Sequence, residues 1–417
     1  ISQKLNFAEL FKGEDGKRSK IFVMHVTVKN KNGQSVSAQK SFIVHRGDLY
    51  LGVRMDRIFA GKGEDLTARF KTVDIKGNPQ AISGITVEVR KVSWISSRRQ
   101  EVDGRYYYKS EQKKEVVKKD TVGTDRDGNT LHTVHVDKEG EYELALIKKD
   151  SRGNEITVEQ YFYVYGTGTV QVRPTNNATL ELVTDKSKVD VGEKTSFVIK
   201  SPFQVAKALI TIERGQIFDY RIIDVNGGLG QYQFDVRSPY VPNIYASVLL
   251  LSNGPEIKYG QIEYQVNTKD VALSINVKSD KKEYLPGEKV NLTIETKDVG
   301  GKGVPAELSL AVVDMSVLAL KGNIKKNPLV FFYDGFPLSV VTASNVKNVL
   351  FEAEIPAGTK GGGGESPEEL AKKKSGEFRE TSLWDGTVRT NEAGVATLSF
   401  TLPDNLTSWQ IESVGIT

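Results

Sequence analysis

Cysteine is absent from the 417-residue chain. That excludes a disulfide framework, a Cys-ligated zinc or iron–sulfur site and a thiol nucleophile. It leaves the compartment open, because a cysteine-free chain folds in oxidising and reducing surroundings alike. Histidine is scarce, with four residues, His25, His45, His132 and His135. His132 and His135 are three apart, which in a strand sends their rings to opposite faces and argues against a shared metal. No His-Glu-x-x-His, Gly-x-Ser-x-Gly or Walker A pattern occurs,. Long hydrophobic runs are missing too. The longest, Leu308 to Leu320, is shorter than a bilayer span and carries Asp314,. The first twenty residues hold no charged-then-apolar signal segment. An excess of one charge is also lacking. The net +4 is too small to predict binding to nucleic acid or an anionic membrane,. These absences point to a soluble, non-enzymatic fragment of a longer exported chain, with no cofactor and no metal. Membrane attachment of the parent is left open and is not encoded here.

What is present is alternation. Apolar residues make up 38% of the chain and charged ones 26%, enough to pack cores and too much to leave the chain disordered,. Ile21–Val28, Ile85–Val89 and Leu398–Leu402 alternate with period two, and turn signals such as Lys31-Asn32-Gly33, Lys76-Gly77-Asn78 and Asp127-Gly128-Asn129 separate such runs,. Long amphipathic helices are missing. The expected fold is all-β, a series of antiparallel Ig- or fibronectin-like sandwiches. Asp125 to Asn129 is too short for a calcium loop and is read as a hairpin turn. Arg90, Lys91, Trp94, Arg98 and Arg99 with Tyr106 to Tyr108 are read as the solvated face of a long hairpin, rather than a nucleic-acid patch.

An internal repeat sets the domain plan. Asp56, Asp185 and Asp280 are each followed seven residues later by Gly-Glu, at Gly63-Glu64, Gly192-Glu193 and Gly287-Glu288. A strand of matching parity follows each: Leu66, Ala68, Phe70; Thr195, Phe197, Ile199; Val290, Leu292, Ile294. One strand, a glycine-permitted turn and a second strand near the start of each domain account for this. The plan places the closing part of a domain at 1–46, further domains at 47–167 and 168–268, and a last one at 269–417.

The last domain is interrupted. From 345 to 377 the alternation fades around Gly361–Gly364, and strands resume at Gly386. A stretch this long without strands is either functional or disordered. As a flexible chain it would have an end-to-end distance of roughly 30 Å. Ser366-Pro367-Glu368-Glu369 carries the capping chemistry of a helix too short to be stable alone. Two readings compete. One is a passive linker in a structural or adhesive array. The other is a lure for proteases, which need several extended, reachable residues. Lys347, Phe351, Lys360, Lys372, Lys373, Lys374, Phe378 and Arg379, with Glu354, Glu365 and Leu370, offer sites to proteases of very different specificity. The discriminating question is whether residues on both sides of the insert complete one sandwich.

The flanks carry a resemblance. Ala311 to Leu318 and Phe331 to Leu338 precede the insert. Phe378 to Trp384, Thr390 to Gly394 and Leu402-Pro403-Asp404-Asn405-Leu406-Thr407-Ser408-Trp409 follow it. This order resembles the alpha-2-macroglobulin superfamily, its bacterial branch in particular, strongly over 269–417 and more weakly over 47–268. The resemblance implies macroglobulin-like sandwiches, a bait region at about 345–377, target proteases and neighbouring domains of the parent chain as partners, and a periplasmic, cell-surface or secreted location. Cleavage of the bait would release a conformational change that confines the protease. The family thioester needs Cys-x-Glu-Gln, so a covalent step cannot occur within these residues. Trp384 and Trp409, on strands either side of a turn at Glu392–Gly394, are expected to help close the core.

Overall fold

A computed structural model describes residues 19–100, 106–254, 256–321, 328–342, 381–404 and 406–417. Strands dominate, arranged as paired sheets. The first two, β1 (Lys20–Lys29) and β2 (Ser35–Val44), form a two-stranded antiparallel ribbon paired over its whole length. Eight more strands follow: β3 (Leu49–Met55), β4 (Phe59–Gly61), β5 (Asp65–Asp74), β6 (Ile85–Gln100), β7 (Tyr106–Val122), β8 (Asn129–His135), β9 (Gly140–Lys149) and β10 (Glu155–Tyr165). They make a sheet ordered β4-β10-β9-β6-β7 and a sheet ordered β3-β5-β8. Leu66, Phe70, Val87, Leu144 and Phe162, drawn from both sheets, share one core.

The plan recurs. The next strands are β11 (Glu181–Thr184), β12 (Lys188–Val189), β13 (Lys194–Lys200), β14 (Val205–Glu213), β15 (Ile217–Asn226), β16 (Leu229–Asp235), β17 (Asn243–Ser252) and β18 (Ile257–Val266). Their sheets run β12-β18-β17-β14-β15 and β11-β13-β16. In both sandwiches the short edge strand, β4 or β12, pairs parallel with the last strand, so the five-stranded sheets are mixed rather than purely antiparallel. The last group is β19 (Ser274–Ser279), β20 (Lys289–Lys297), β21 (Glu307–Asp314), the helices α1 (Met315–Lys321) and α2 (Pro328–Phe332), then β22 (Thr381–Arg389), β23 (Val395–Thr401) and β24 (Trp409–Ile416). Its sheets are β19-β20-β23 and β22-β21-β24.

The repeat has a physical cause. Gly63, Gly192 and Gly287 hold φ of 79°, 82° and 74°, the positive value that the third residue of a type II turn requires,. The glutamate after each closes the turn, its N–H donating to the carbonyl of Gly61, Asp190 or Leu285 at 3.1, 3.1 and 3.0 Å. In the second and third copies the glutamate carboxylate also accepts the N–H of Asp190 and Leu285, at 3.0 and 2.9 Å. The side chains of matching parity that follow are all buried.

A second local device recurs too. Asn30, Asp74, Asp125, Asp150, Asp298 and Asn391 each accept, through Oδ1, the N–H of the residue four further on. The residue three further on is a positive-φ glycine in every case. An Asx side chain thus replaces a backbone carbonyl in the turn. Asp125–Asn129 is one of these turns.

Trp384 departs from expectation. It is 71% exposed, whereas Trp409 packs against the last core with Leu292, Leu308 and Leu310. The pairing of β21 with β22 slips between Leu308 and Leu310 and again between Val312 and Val313. Leu383 and Val388, five residues apart, therefore both contact the core, and simple alternation cannot place Trp384,.

Candidate functional site

The β21–β22 hairpin is where the sequence pattern fails, and its neighbours show what it replaces. The sheet order β24-β21-β22 matches β9-β6-β7 and β17-β14-β15 of the preceding sandwiches. In the second of these the hairpin closes tightly, with the Arg214 N–H donating to Gln216 O at 3.0 Å. In the last sandwich residues 315–380 stand in place of the turn.

The two roots of this insert are neighbours. Val313 pairs with Thr381 across the β21–β22 ladder, and Asp314 pairs with Trp409 on the other side of β21. Asp314 is fully buried and holds the first root. Its Oδ1 accepts the Ser316 N–H at 2.8 Å and the Ser316 hydroxyl at 2.7 Å, the N-cap contact that starts α1,. The same oxygen accepts the Thr407 hydroxyl at 2.8 Å, and the Met315 N–H donates to Ser408 O at 3.0 Å. The Leu402–Trp409 motif therefore fastens the strand from which the insert departs.

After α2 the chain crosses to the β11–β18 sandwich. Tyr333 packs against that core. Asn243, itself buried, grips the backbone of Phe336 at both ends: Nδ2 donates to Phe336 O and Oδ1 accepts the Phe336 N–H, each at 2.8 Å. Its second amide hydrogen goes to Glu263 Oε1 at 2.9 Å. The Ser339 N–H donates to Arg214 O at 2.8 Å, and the Arg214 guanidinium lies 5.2 Å over the Phe336 ring. That guanidinium also donates to Val241 O and Asn243 O at 2.8 and 2.9 Å, and burial lowers its pKa. Tyr333 to Pro337 wall a cleft of about 1160 Å³ whose far side includes Lys188, Glu263 and Asn267.

The eight cleavage candidates, Lys347, Phe351, Lys360, Lys372, Lys373, Lys374, Phe378 and Arg379, lie outside the described residues, as does the Ser366–Glu369 capping sequence. Among the described residues no cluster of three His, Asp or Glu side chains could hold a metal. His132 stacks on Phe70, while His135 sits between Asp65 and Asp137. No helix among those residues is long and apolar enough to cross a membrane. Asn243 and Arg214 went unnoticed in the sequence, because a side chain that binds another segment's backbone leaves no spacing to find. Asp314 and Thr407 were visible only as motif letters.

The fold and these contacts define an array of β-sandwiches whose last member has one hairpin opened by a long insert. Family models match three stretches of the chain. "Bacterial macroglobulin domain 6" matches residues 53–166, "Alpha-2-macroglobulin bait region domain" residues 180–320, and "Alpha-2-macroglobulin family" residues 381–417. An alpha-2-macroglobulin of Ralstonia nicotianae is 27% identical over 69% of the chain, and an alpha-2-macroglobulin homolog of Nostoc is 24% identical over 94%. The chain spans about a fifth of the length of these relatives, 18% and 21%. A trypsin-activated alpha-2-macroglobulin from Escherichia coli aligns with 96% of the chain and 27% of its own length, at 14% identity and a TM-score of 0.34. The chain belongs to the alpha-2-macroglobulin family.

Proposed function

We propose that this chain is the bait-carrying part of a broad-spectrum protease inhibitor that acts in the periplasm, at the cell surface or after secretion. An attacking protease cuts the segment at about 345–377, and the parent molecule then confines it by a change of conformation. The chain contributes a substrate and a scaffold rather than a catalyst. Its partners are the proteases it meets and the neighbouring domains of its parent.

One observation carries this reading. Strands from before and after residues 315–380 share the same sheets, β20 with β23 and β21 with β22 and β24. A cut inside the insert therefore severs the chain without removing a strand, and the sandwich keeps its core. A linker between two self-contained units has no reason to begin and end on paired strands.

The same geometry limits where a cut can act. Neighbouring antiparallel strands hold their Cα atoms roughly 5 Å apart through their own ladder. The insert is not needed to keep β21 and β22 together, and cutting it does not drive them apart. Any release has to be felt where the insert touches something else.

Brief exposure to trypsin, chymotrypsin or elastase, followed by intact-mass analysis, tests the proposal. The first cuts are expected within 345–379, leaving residues 47–268 whole. First cuts scattered over hairpin turns elsewhere, such as Asp74–Asn78 or Asp150–Asn154, would sink it.

A further inference from the structure

Residues 333–339 are the described part of the insert that lies on a different sandwich, and they are held there mainly by backbone. Asn243 takes the N–H and the carbonyl of Phe336 in one bidentate grip, and the Arg214 carbonyl takes the N–H of Ser339. Asn243 reaches across from the start of β17 while fully enclosed, with its amide hydrogens shared between Phe336 O and Glu263. A buried amide whose polar atoms are all matched specifies one partner geometry, because any other leaves them unpaired. Arg214 sits in the β14–β15 turn, the tight counterpart of the turn that the insert replaces one sandwich later. The opened hairpin of the last sandwich is thus fastened to the closed hairpin of the one before.

We infer that residues 333–339 form a strap pinning the N-terminal limb of the insert to the β11–β18 sandwich, with Asn243 and Arg214 as the positioning residues. This rests on the bait reading for its purpose and on the contacts alone for its existence. Two consequences follow for cleavage. A strapped segment cannot extend into a protease cleft, so 333–339 is withheld and, on the C-terminal side of the strap, attack falls on residues beyond 342. After a cut there, the new C-terminal end stays leashed to the β11–β18 sandwich, while the new N-terminal end leads into β22. The two sides part unequally. The cut also removes one of two chain paths joining the strap to the last sandwich, leaving the path through α1 and α2.

The test uses the 417-residue chain, with chymotrypsin and with hydrogen–deuterium exchange. In the wild type, the bonds after Phe332 and Tyr333 are expected to resist chymotrypsin while the bond after Phe351 is cut, and the Phe336 amide is expected to exchange slowly. Ser339→Pro removes the N–H given to Arg214 without touching the core. It should speed cutting after Tyr333 about tenfold and release the Phe336 amide. Ser339→Ala keeps that N–H and should behave as wild type, which a merely bulk effect at the site would not predict. Asn243→Ala should act like Ser339→Pro, and if it fails to fold the Ser339 pair still decides. Equal cutting after Tyr333 and Phe351 in the wild type overturns the strap, and so does an unchanged Tyr333 bond in Ser339→Pro. Absence of any cut beyond 342 would instead remove the bait reading, while the Ser339 comparison stayed readable.

Discussion

The β11–β18 sandwich meets its two neighbours in different ways. Toward the β3–β10 sandwich the joint is buried. Phe59, Tyr163, Val170, Val198 and Leu229 form one apolar cluster across it. Lys200, 6% exposed, lies 4.7 Å over the Tyr163 ring and within 2.9 Å of Glu181 and 3.6 Å of Glu141. Burial opposes its charge, but Tyr163 and the two carboxylates outweigh that and raise its pKa. The connecting residues are clamped from both sides. The buried Lys258 ammonium donates to Thr175 O and Asn177 O, and Asn176 Nδ2 donates to Tyr108 O of the long β6–β7 hairpin at 3.0 Å. Toward the β19–β24 sandwich the described contacts are an exposed Lys269–Asp190 pair at 3.0 Å and the strap. A joint made of apolar burial and matched charges holds as a body. The strap rests on fewer groups, namely the amide of Asn243, the carbonyl of Arg214 and the packing of Tyr333. Each of its hydrogen bonds is worth about 1 kcal/mol, so it is the contact more readily surrendered. One sandwich thus serves as a fixed base on one side and a releasable contact on the other.

The sharpest way to break this contrast is to strip charge from the fixed joint. Lys200→Ala leaves Glu141 buried beside a cavity. It should cost about 3–5 kcal/mol in urea unfolding, the range for breaking a buried pair. If the loss is under about 1 kcal/mol, the joint is no firmer than a surface contact. Next is Gly228→Ala. Gly228 has a φ of 93°, and an added Cβ would stand 2.2 Å from Val170 O. The linker must shift or the turn must break, for about 2–3 kcal/mol, and faster exchange at the Val170 amide should report it.

Asp314→Ala probes the root from which the insert leaves the last sandwich. Losing the N-cap and the Thr407 contact should cost about 1–2 kcal/mol and speed exchange at Met315 and Ser316, while the Lys200 joint stays protected. The smallest effect concerns Asp280, which accepts the Tyr284 hydroxyl, the Asn291 N–H and the Asn291 amide at 2.7, 2.9 and 3.0 Å. The Tyr284 hydrogen bond, then those from Asn291, bring its pKa down to about 2 from the ordinary 3.8. A carboxylate with a lowered folded pKa stabilises above the unfolded value and loses that contribution as pH falls through the folded one. The Tm gap between wild type and Asp280→Ala should therefore be constant above 3.8 and shrink toward pH 2. A gap that widened there would contradict the assigned contacts.

Much of the fold was legible because it is local. A glycine at positive φ, an Asx side chain reaching four residues on, and parity that buries Phe70, Phe197 and Ile294 depend on residues close in sequence. The long hairpin of Arg90 to Tyr108 was legible for the same reason, but its solvated face was not borne out near the base. Arg90 and Trp94 are half-buried and bind Glu143 and Glu141, partners about fifty residues away that local pattern cannot show. Trp384 was not, because two slips in the β21–β22 ladder break the parity on which such a reading depends. Nor was the strap, since Asn243 binds Phe336 through main-chain atoms that every residue possesses.

The sequence by itself determined that the chain would be a series of sandwiches, that the last one would be interrupted, and that no cysteine chemistry would occur within these residues. These follow from short-range periodicity and from composition. Only the tertiary structure decided that the interruption opens a hairpin with paired roots, and that its first limb lies on the preceding sandwich. Those facts depend on strands distant in the chain coming together, and on which carbonyl meets which buried amide once they do.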